Sequence, residues 1–325
     1  MNLPFEELDR TIKIKQKVAV SKEFGFFPED RKIEELLNCG MICLNKPQGP
    51  TSHQVIDYIK KILNIPKAGH TGTLDPHVSG VLPIALNNAT KITQALLPAE
   101  KEYVALMYLH SDIPEEKIKN ELQKYTGTIN QLPPVRSAVK RQLRQRNVYY
   151  IDVLEIKGRH VLFKIGCQGG TYVRKYIHDF GKILNTDAHM KELVRTKVGF
   201  FSSKEWCSLH DLKDAFTFYQ NGDSTHLKKL LLPIEAGVRH LPKVYVLDSA
   251  ICNLCHGSPL YVGGVSKVEA CVETGLLVAV MSLKNELVCL GISMLTSSEI
   301  KNNKKGVAVK TTKVFMNIGI YPGNA

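Results

Sequence analysis

Apolar residues alternate between short uninterrupted runs and helically spaced positions through the first 240 residues of the chain. The runs at 40–44 and 80–86 predict buried strands. Apolar positions after Ser52 recur at helical spacing, which predicts a helix with that serine as its N-cap. The same patterns predict strands at 101–109, 148–156 and 161–167 and helices at 89–97, 114–125, 172–180 and 209–218. This mixture predicts an α+β fold with a mixed, largely antiparallel sheet.

The pattern changes near residues 239–242. Beyond them, short strands separated by glycine-containing turns are predicted at 243–247, 263–265, 276–283 and 287–292, which favours a small β-barrel. Residues 1–37 are mixed and charged, and they fit either a short strand or an arm packed on another domain. We therefore expect an N-terminal extension (1–37) packed on the C-terminal domain, a first domain (38–240) and a second domain (241–320).

Charge narrows the range of partners. The chain has 325 residues, a formal net charge of +12 and a hydrophobic fraction of 44%. That balance indicates a globular protein with a polyanionic partner, which nucleic acid and an anionic membrane both satisfy. No run of 18 apolar residues and no signal peptide are present, so we expect a soluble, cytoplasmic protein that does not bind membranes.

The cysteines suggest one alternative chemistry. Cys252, Cys255 and His256 form a C-x-x-C-H sequence, which is typical of covalent haem attachment. That chemistry follows export, for which the sequence has no signal, and a zinc site would need a second close pair of ligands. Buried thiols are therefore the favoured interpretation. The chain also lacks a P-loop and a dinucleotide fingerprint, so we predict neither a cofactor nor a metal.

The most basic segment lies in the middle of the chain. It has five cationic residues and no acidic one: Arg136, Lys140, Arg141, Arg144 and Arg146. Such a run is by default a solvated face. Because local and global charge agree, a patch that contacts phosphates fits better.

The strongest candidate for chemistry is the loop at 68–76. Gly69 and Gly72 permit backbone angles that other residues resist, and Pro76 restricts the conformation of Asp75. A structural Asp in a turn would look the same. Residues alone leave both interpretations open.

The loop resembles a known family motif. Its sequence from Gly69 to Pro76, G-H-T-G-T-L-D-P, is similar to the G-H-T-G-x-L-D-P catalytic loop of the TruB-type pseudouridine synthases. Downstream segments resemble the archaeal box H/ACA guide-dependent branch, whose eukaryotic relative is dyskerin, and the resemblance covers about residues 38–320. It implies that Asp75 is the catalytic nucleophile or general base and that His70 helps to displace the target base from its helix.

Further motifs assign supporting roles by the same resemblance. Lys46 lies in a K-P-x-G-x-T-S motif beside the active site, although a solvated or phosphate-binding lysine would also fit its turn. Tyr103 would stack on the target base, Arg174 of the G-T-Y-[IV]-R motif would pair with Asp75, and Tyr172 and Leu193 would wall the base pocket. A valine replaces the first arginine of the family's L-R-R-T segment.

The RNA partners are likewise implied by the resemblance. The segment after Arg141 is short where stand-alone bacterial relatives carry an insertion that grips transfer RNA, which favours the guide-dependent branch. Residues after 241, including His256 and Gly257, resemble an RNA-binding PUA domain. The implied partners are a box H/ACA guide RNA, substrate ribosomal or transfer RNA, and small accessory proteins of the zinc-ribbon-like, glycine-arginine-rich and kink-turn-binding types. The alternatives are guide-independent modification of transfer RNA and a non-catalytic RNA-assembly scaffold.

Overall fold

A computed structural model describes residues 1–133 and 140–322. These residues form two compact units. The first comprises Met1–Glu7, Ile42–Ala85 and Thr93–Leu230, and the second comprises Leu8–Met41, Leu86–Ile92 and the chain from Leu231 onward. The domain limits that the sequence suggests at 37/38 and 240/241 stay a prediction.

The described chain contains both strands and helices. The strands are β1 (Ile12–Ile14), β2 (Gly40–Lys46), β3 (Ala68–His70), β4 (Ser79–Leu86), β5 (Lys101–Leu109), β6 (Gly127–Gln131), β7 (Arg144–Lys157), β8 (His160–Cys167), β9 (Ala188–Val198), β10 (Phe201–Ser202), β11 (Leu232–Pro233), β12 (Lys243–Val246), β13 (Leu260–Tyr261), β14 (Val265–Glu269), β15 (Leu277–Met281), β16 (Leu287–Ser293) and β17 (Val307–Val314). The α-helices are α1 (Ile33–Cys39), α2 (Ser52–Leu63), α3 (Thr93–Leu96), α4 (Glu115–Lys124), α5 (Val173–Ile183), α6 (Leu209–Gln220), α7 (Thr225–Leu230), α8 (Asp248–Cys255) and α9 (Ser297–Asn302).

The first unit is built on a sheet with the strand order β2-β4-β9-β5-β8-β7-β6, in which β3 adds to β4 and β10 to β9. The β4–β9 pair is parallel, whereas β9–β5, β5–β8, β8–β7 and β7–β6 are antiparallel. Helix α5 packs on β9. Its apolar face, with Tyr176, Ile177 and Phe180, is fully buried, so the start of the helix is fixed against the sheet.

Three local predictions differ from the structure. The strand predicted at 263–265 is largely a 3₁₀ helix (Val262–Gly264), and β14 begins only at Val265. The N-cap of α2 is Thr51 and not Ser52: the Thr51 hydroxyl accepts a hydrogen bond from the Gln54 amide, and the Gln54 side chain accepts one from the Thr51 amide. The predicted helix at 89–97 is a 3₁₀ helix (Asn87–Ile92) followed by the single turn α3. Asn87, two residues before the predicted helix, has a positive φ of 42°.

The second unit contains a sheet with the order β1-β14-β12-β15-β16-β17-β13. Its core is rich in valine, with members on most of the strands. Strand β1 pairs antiparallel with β14, so that Ile12 lies opposite Glu269. The two-residue strand β11 pairs with Gly40 and Met41 in the same unit. No helix in residues 1–133 or 140–322 is both long and apolar enough to cross a membrane.

Candidate active site

The loop between β3 and β4 holds Asp75 at the surface by hydrogen bonds to its backbone. The Ser52 hydroxyl donates to the Leu74 carbonyl (3.1 Å) and accepts from the Leu74 amide (3.0 Å). After the aspartate, the Val78 amide donates to the Asp75 carbonyl, which closes a turn. The Asp75 side chain remains 53% exposed. A fixed backbone therefore presents a carboxylate to solvent.

The side chain of Lys46 binds the backbone of this turn. Its ammonium group is fully buried and donates to the carbonyls of Pro47 (2.8 Å), Pro76 (3.3 Å) and Val78 (2.9 Å). Burial lowers the pKa of Lys46, and the negative charge of Asp75 opposes that shift. The residue is therefore neither solvated nor available to a phosphate, and it binds the backbone on the C-terminal side of Asp75.

Arg174, the second residue of α5, forms an ion pair with Asp75 through Nη2 and Oδ2, across 99 residues of sequence. Both side chains are more than half exposed, so solvent screens their attraction and the pair contributes little to stability. Its consequence is geometric, since a guanidinium fixes the direction of the carboxylate that it contacts.

Tyr103 and Leu193 lie on the adjacent strands β5 and β9. Tyr103 is 8% exposed and Leu193 is 7% exposed. The Cα register places Tyr103 opposite Arg195 and Leu193 opposite Ala105. Burial raises the pKa of Tyr103, and the positive charge of Arg195 opposes the shift.

Tyr172 precedes α5 and is half-buried. Its backbone is held by Gln131, which is 2% exposed: the Gln131 amide group donates to the Tyr172 carbonyl (3.2 Å), and its oxygen accepts from the Tyr172 amide (3.0 Å). Sequence analysis missed Gln131, because a glutamine at the end of a strand carries no signal of a partner 41 residues away.

His70 is half-buried at the end of β3, where its Nδ1 accepts a long hydrogen bond (3.4 Å) from the Gly72 amide. Its ring meets the ring of His53 edge to face, with centroids 5.2 Å apart. Burial lowers the pKa of His70, and the nearby His53 and Arg195 lower it further. Burial and its neighbours therefore favour a neutral ring in the loop.

The predicted basic segment is only partly covered by the structure, because Arg136 lies outside the described residues. Lys140 and Arg141 are exposed, whereas Arg144 and Arg146 are half-buried on β7. A Cβ built on Gly170 would lie 3.2 Å from Nε of Arg146, so this guanidinium lies against the loop that leads to Tyr172. His256 and Gly257 lie in the second unit, exposed at the end of α8.

Metal ligation has no support among residues 1–133 and 140–322, where no group of three or more His, Cys, Asp or Glu side chains could hold an ion. Cys252 and Cys255 are half-buried free thiols on α8. Burial raises the pKa of Cys255 to about 11, so this thiol is protonated at neutral pH.

Lys101 binds the turn that precedes β5. It is 4% exposed, and its ammonium group donates to the carbonyls of Leu96 (3.2 Å), Leu97 (2.8 Å) and Ala99 (2.6 Å). This turn lies under Gly169, where an added Cβ would meet the Pro98 carbonyl oxygen at 2.7 Å. Burial lowers the pKa of Lys101 to about 7.

That shift predicts a pH-dependent stability. Between a folded pKa of about 7 and an ordinary value of 10.5, the unfolded chain keeps the Lys101 proton that the folded chain has released. The free energy of unfolding of the wild type is therefore expected to rise with pH relative to Lys101→Met, by at most about 1.4 kcal/mol per pH unit. Urea unfolding at several pH values in this range tests it, with the exposed Lys124→Met as the control. Curves of wild type and Lys101→Met that stay parallel would contradict the prediction.

Comparison with known proteins adds four matching domains. Residues 60–173 match the TruB family pseudouridylate synthase (N terminal domain), and residues 174–239 match the tRNA pseudouridylate synthase B C-terminal domain. Residues 242–315 match a PUA domain, and residues 2–56 match a DKCLD (NUC011) domain. The catalytic and RNA-binding domains that the sequence resembles are thus both found in the expected order.

Relatives of similar length match nearly the whole chain. A protein of Pyrococcus furiosus named "Probable tRNA pseudouridine synthase B" is 52% identical over 97% of this chain and 94% of its own length. A protein of the same name from Methanopyrus kandleri is 48% identical over 98% and 95%.

Solved structures agree with the fold throughout. A chain in "Crystal Structure of a Cbf5-Nop10-Gar1 Complex" superposes with a TM-score of 0.94 at 51% identity, covering 99% of this chain and 98% of that one. A chain in "Structure of H/ACA RNP bound to a substrate RNA containing 2'-deoxyuridine" superposes with a TM-score of 0.92 at 48% identity, covering 99% of each. The family resemblance and the fold class predicted from the sequence are confirmed, and the chain belongs to the TruB family of pseudouridylate synthases.

Proposed function

We propose that this protein isomerises uridine to pseudouridine in RNA with Asp75 as its nucleophile. The observation that carries the assignment is the ion pair of Asp75 with Arg174, which joins two family motifs 99 residues apart around one exposed carboxylate. The same pair argues against a non-catalytic scaffold, which would have no need to aim a carboxylate outward.

The isomerisation needs no external group donor, because every atom of the product comes from the uridine itself. The bond from N1 of the base to C1′ of the ribose breaks, the base turns, and a bond from C5 to C1′ forms. C5 loses one proton and N1 gains one, so no electrons are exchanged with a cofactor. Asp75 stabilises or bonds the separated fragment, while the ring of Tyr103 stacks on the base and Leu193 with Tyr172 encloses it.

The other site residues have supporting roles in the proposed reaction. His70, beside Asp75 in the loop, assists displacement of the base, and Lys46 holds the turn in place. The basic residues from Arg136 to Arg146 contact RNA phosphates, and His256 with Gly257 contacts RNA from the PUA domain. We propose residues 38–240 as the catalytic domain and 241–320 as the RNA-binding domain.

The choice of substrate is proposed to depend on a box H/ACA guide RNA, with ribosomal RNA as the main target and cytoplasm as the site of action. Similarity to chains from an H/ACA ribonucleoprotein and from a complex with Nop10 and Gar1 supports assembly with a guide and these small proteins. A kink-turn-binding protein on the guide stays a prediction. Guide-independent modification of transfer RNA is the second candidate, favoured by the name of the curated relatives.

Reconstitution separates the two candidates. Purified protein is incubated with a uridine-labelled target and a complementary guide RNA, with and without the accessory proteins, and pseudouridine is measured. A guide whose pocket is mismatched to the target is the control. We expect product only with the matched guide. Modification of free transfer RNA at the same rate, with no response to the guide, would establish the second candidate.

A further inference from the structure

Arg195 has the largest of the fully buried side chains, at 1% exposure, and it reaches three parts of the active site. Its Nε donates to the Val81 carbonyl (2.7 Å), and its Nη2 donates to the Gly72 carbonyl (3.1 Å). Tyr103 is the Cα partner of Arg195 in the β5–β9 pair, and the guanidinium lies close enough for its positive charge to oppose the raised pKa of the phenol. One planar group therefore joins the catalytic loop, the strand that follows it and the stacking residue.

Two hydrogen bonds of the Arg195 side chain bind the backbone before and after Asp75 in the sequence. Gly72 precedes Asp75 in the loop and Val81 follows it on β4, so the two carbonyls flank the reactive residue in the sequence. The backbone of Arg195 is equally close: a Cβ added to Gly80, its parallel partner in the β4–β9 pair, would lie 2.2 Å from the Arg195 carbonyl oxygen. Both the side chain and the main chain of Arg195 thus hold the segment that carries Asp75.

Burying the positive charge of Arg195 costs desolvation free energy. A buried cation ordinarily pairs with a carboxylate, because desolvation is otherwise uncompensated. None of the ion pairs within residues 1–133 and 140–322 involves Arg195. Burial accordingly lowers its pKa. An apolar side chain of similar length would fill the space at lower cost, but it would leave the Gly72 and Val81 carbonyls without a donor.

We propose that Arg195 is a positioning residue, which fixes the loop of Asp75 relative to the ring of Tyr103. The inference rests on the proposed function, because it is the isomerisation that requires these two side chains in register. It acts through Gly72 and Val81 without touching the substrate. A positional error of about 1 Å between reacting groups lowers a rate by about 10²-fold, which sets the size of the expected effect.

Two substitutions test the proposal. Arg195→Met removes the charge and the fork at similar length, and Arg195→Lys keeps the charge but offers one donor group in place of two. With guide and target RNA, we expect the single-turnover rate of the folded Met variant to fall about 10²-fold, while RNA affinity changes less than about threefold. The Lys variant is expected to lose less.

A second measurement needs no activity. Hydrogen exchange in segment 68–76 of the free protein should become faster in both variants, while segments of the second unit keep the wild-type rate. Arg31→Lys is the control, since Arg31 is a partly buried arginine whose fork binds Glu235 within the second unit. It is expected to lower the melting temperature without changing the single-turnover rate of the folded protein.

The possible results distinguish failure of the positioning role from failure of the proposed function. A folded Arg195→Met with the wild-type rate and unchanged exchange in segment 68–76 would overturn the positioning role. If the Met variant does not fold, the Lys variant decides by the same two readouts. Wild type and Asp75→Asn are measured in parallel: if wild type makes no pseudouridine, the proposed function fails, whereas the exchange result still tests the hold on the loop.

Discussion

Replacing Asp75 by asparagine is expected to abolish pseudouridine formation, with a loss of at least about 10⁴ in the single-turnover rate. Asparagine has the same shape but carries no negative charge, so it can neither attack nor stabilise a cationic fragment. The Asp75 side chain is 53% exposed, and its loop is held by backbone contacts to Ser52 and Lys46. We therefore expect the melting temperature and the affinity for RNA to stay close to those of the wild type.

The matched control is Asp57→Asn, which removes an exposed carboxylate that pairs with Lys60 on α2. It should keep the wild-type rate, because Asp57 belongs to a surface ion pair. Pseudouridine formation by Asp75→Asn within tenfold of the wild-type rate would remove Asp75 from the mechanism.

Replacing Arg174 by methionine is expected to lower the single-turnover rate by about 10² to 10³-fold, because the carboxylate loses the group that directs it. Arg174→Lys should recover part of the rate, since an ammonium restores the charge but not the planar fork. Stability should change by less than about 1 kcal/mol, because the pair with Asp75 is exposed and screened. Rates at saturating RNA and thermal unfolding measure the two effects separately.

Another exposed arginine–aspartate pair provides the control. Arg159 contacts Asp112 through Nε and Nη2, each at 2.8 Å, at the turn between β7 and β8. Arg159→Met breaks a similar ion pair at a site with no proposed part in the chemistry, and it should leave the rate unchanged. An equal loss of rate in both arginine variants would mean that lost charge, and not the direction of Asp75, explains the effect.

Local periodicity predicts much of the secondary structure. The strand predicted at 101–109 has the same limits as β5, and the helix predicted at 114–125 differs from α4 by one residue at each end. The cap of α2 was misplaced for a tertiary reason. Thr51 and Ser52 are both good caps by residue type, and Ser52 instead bonds to Leu74, 22 residues later.

Local sequence also predicts part of the candidate site, but it does not predict which distant residues meet there. Glycines and a proline around Asp75 indicated a constrained carboxylate, and the family resemblance implied Arg174 as its partner. The residues alone left a structural aspartate open as an interpretation, because nothing local connects positions 75 and 174. The ion pair between them requires the sheet that brings α5 beside the β3–β4 loop.

By itself, the sequence determined the basic charge, the change of pattern near residue 240 and the loop that presents Asp75. Only the tertiary structure decided the roles of Lys46, Gln131 and Arg195, all of which bind backbone atoms. The physical reason is that every residue carries the same carbonyl and all but proline the same amide. The partner of a side chain that binds the backbone can therefore be any residue type. The sequence does not identify that partner, and only the folded structure does.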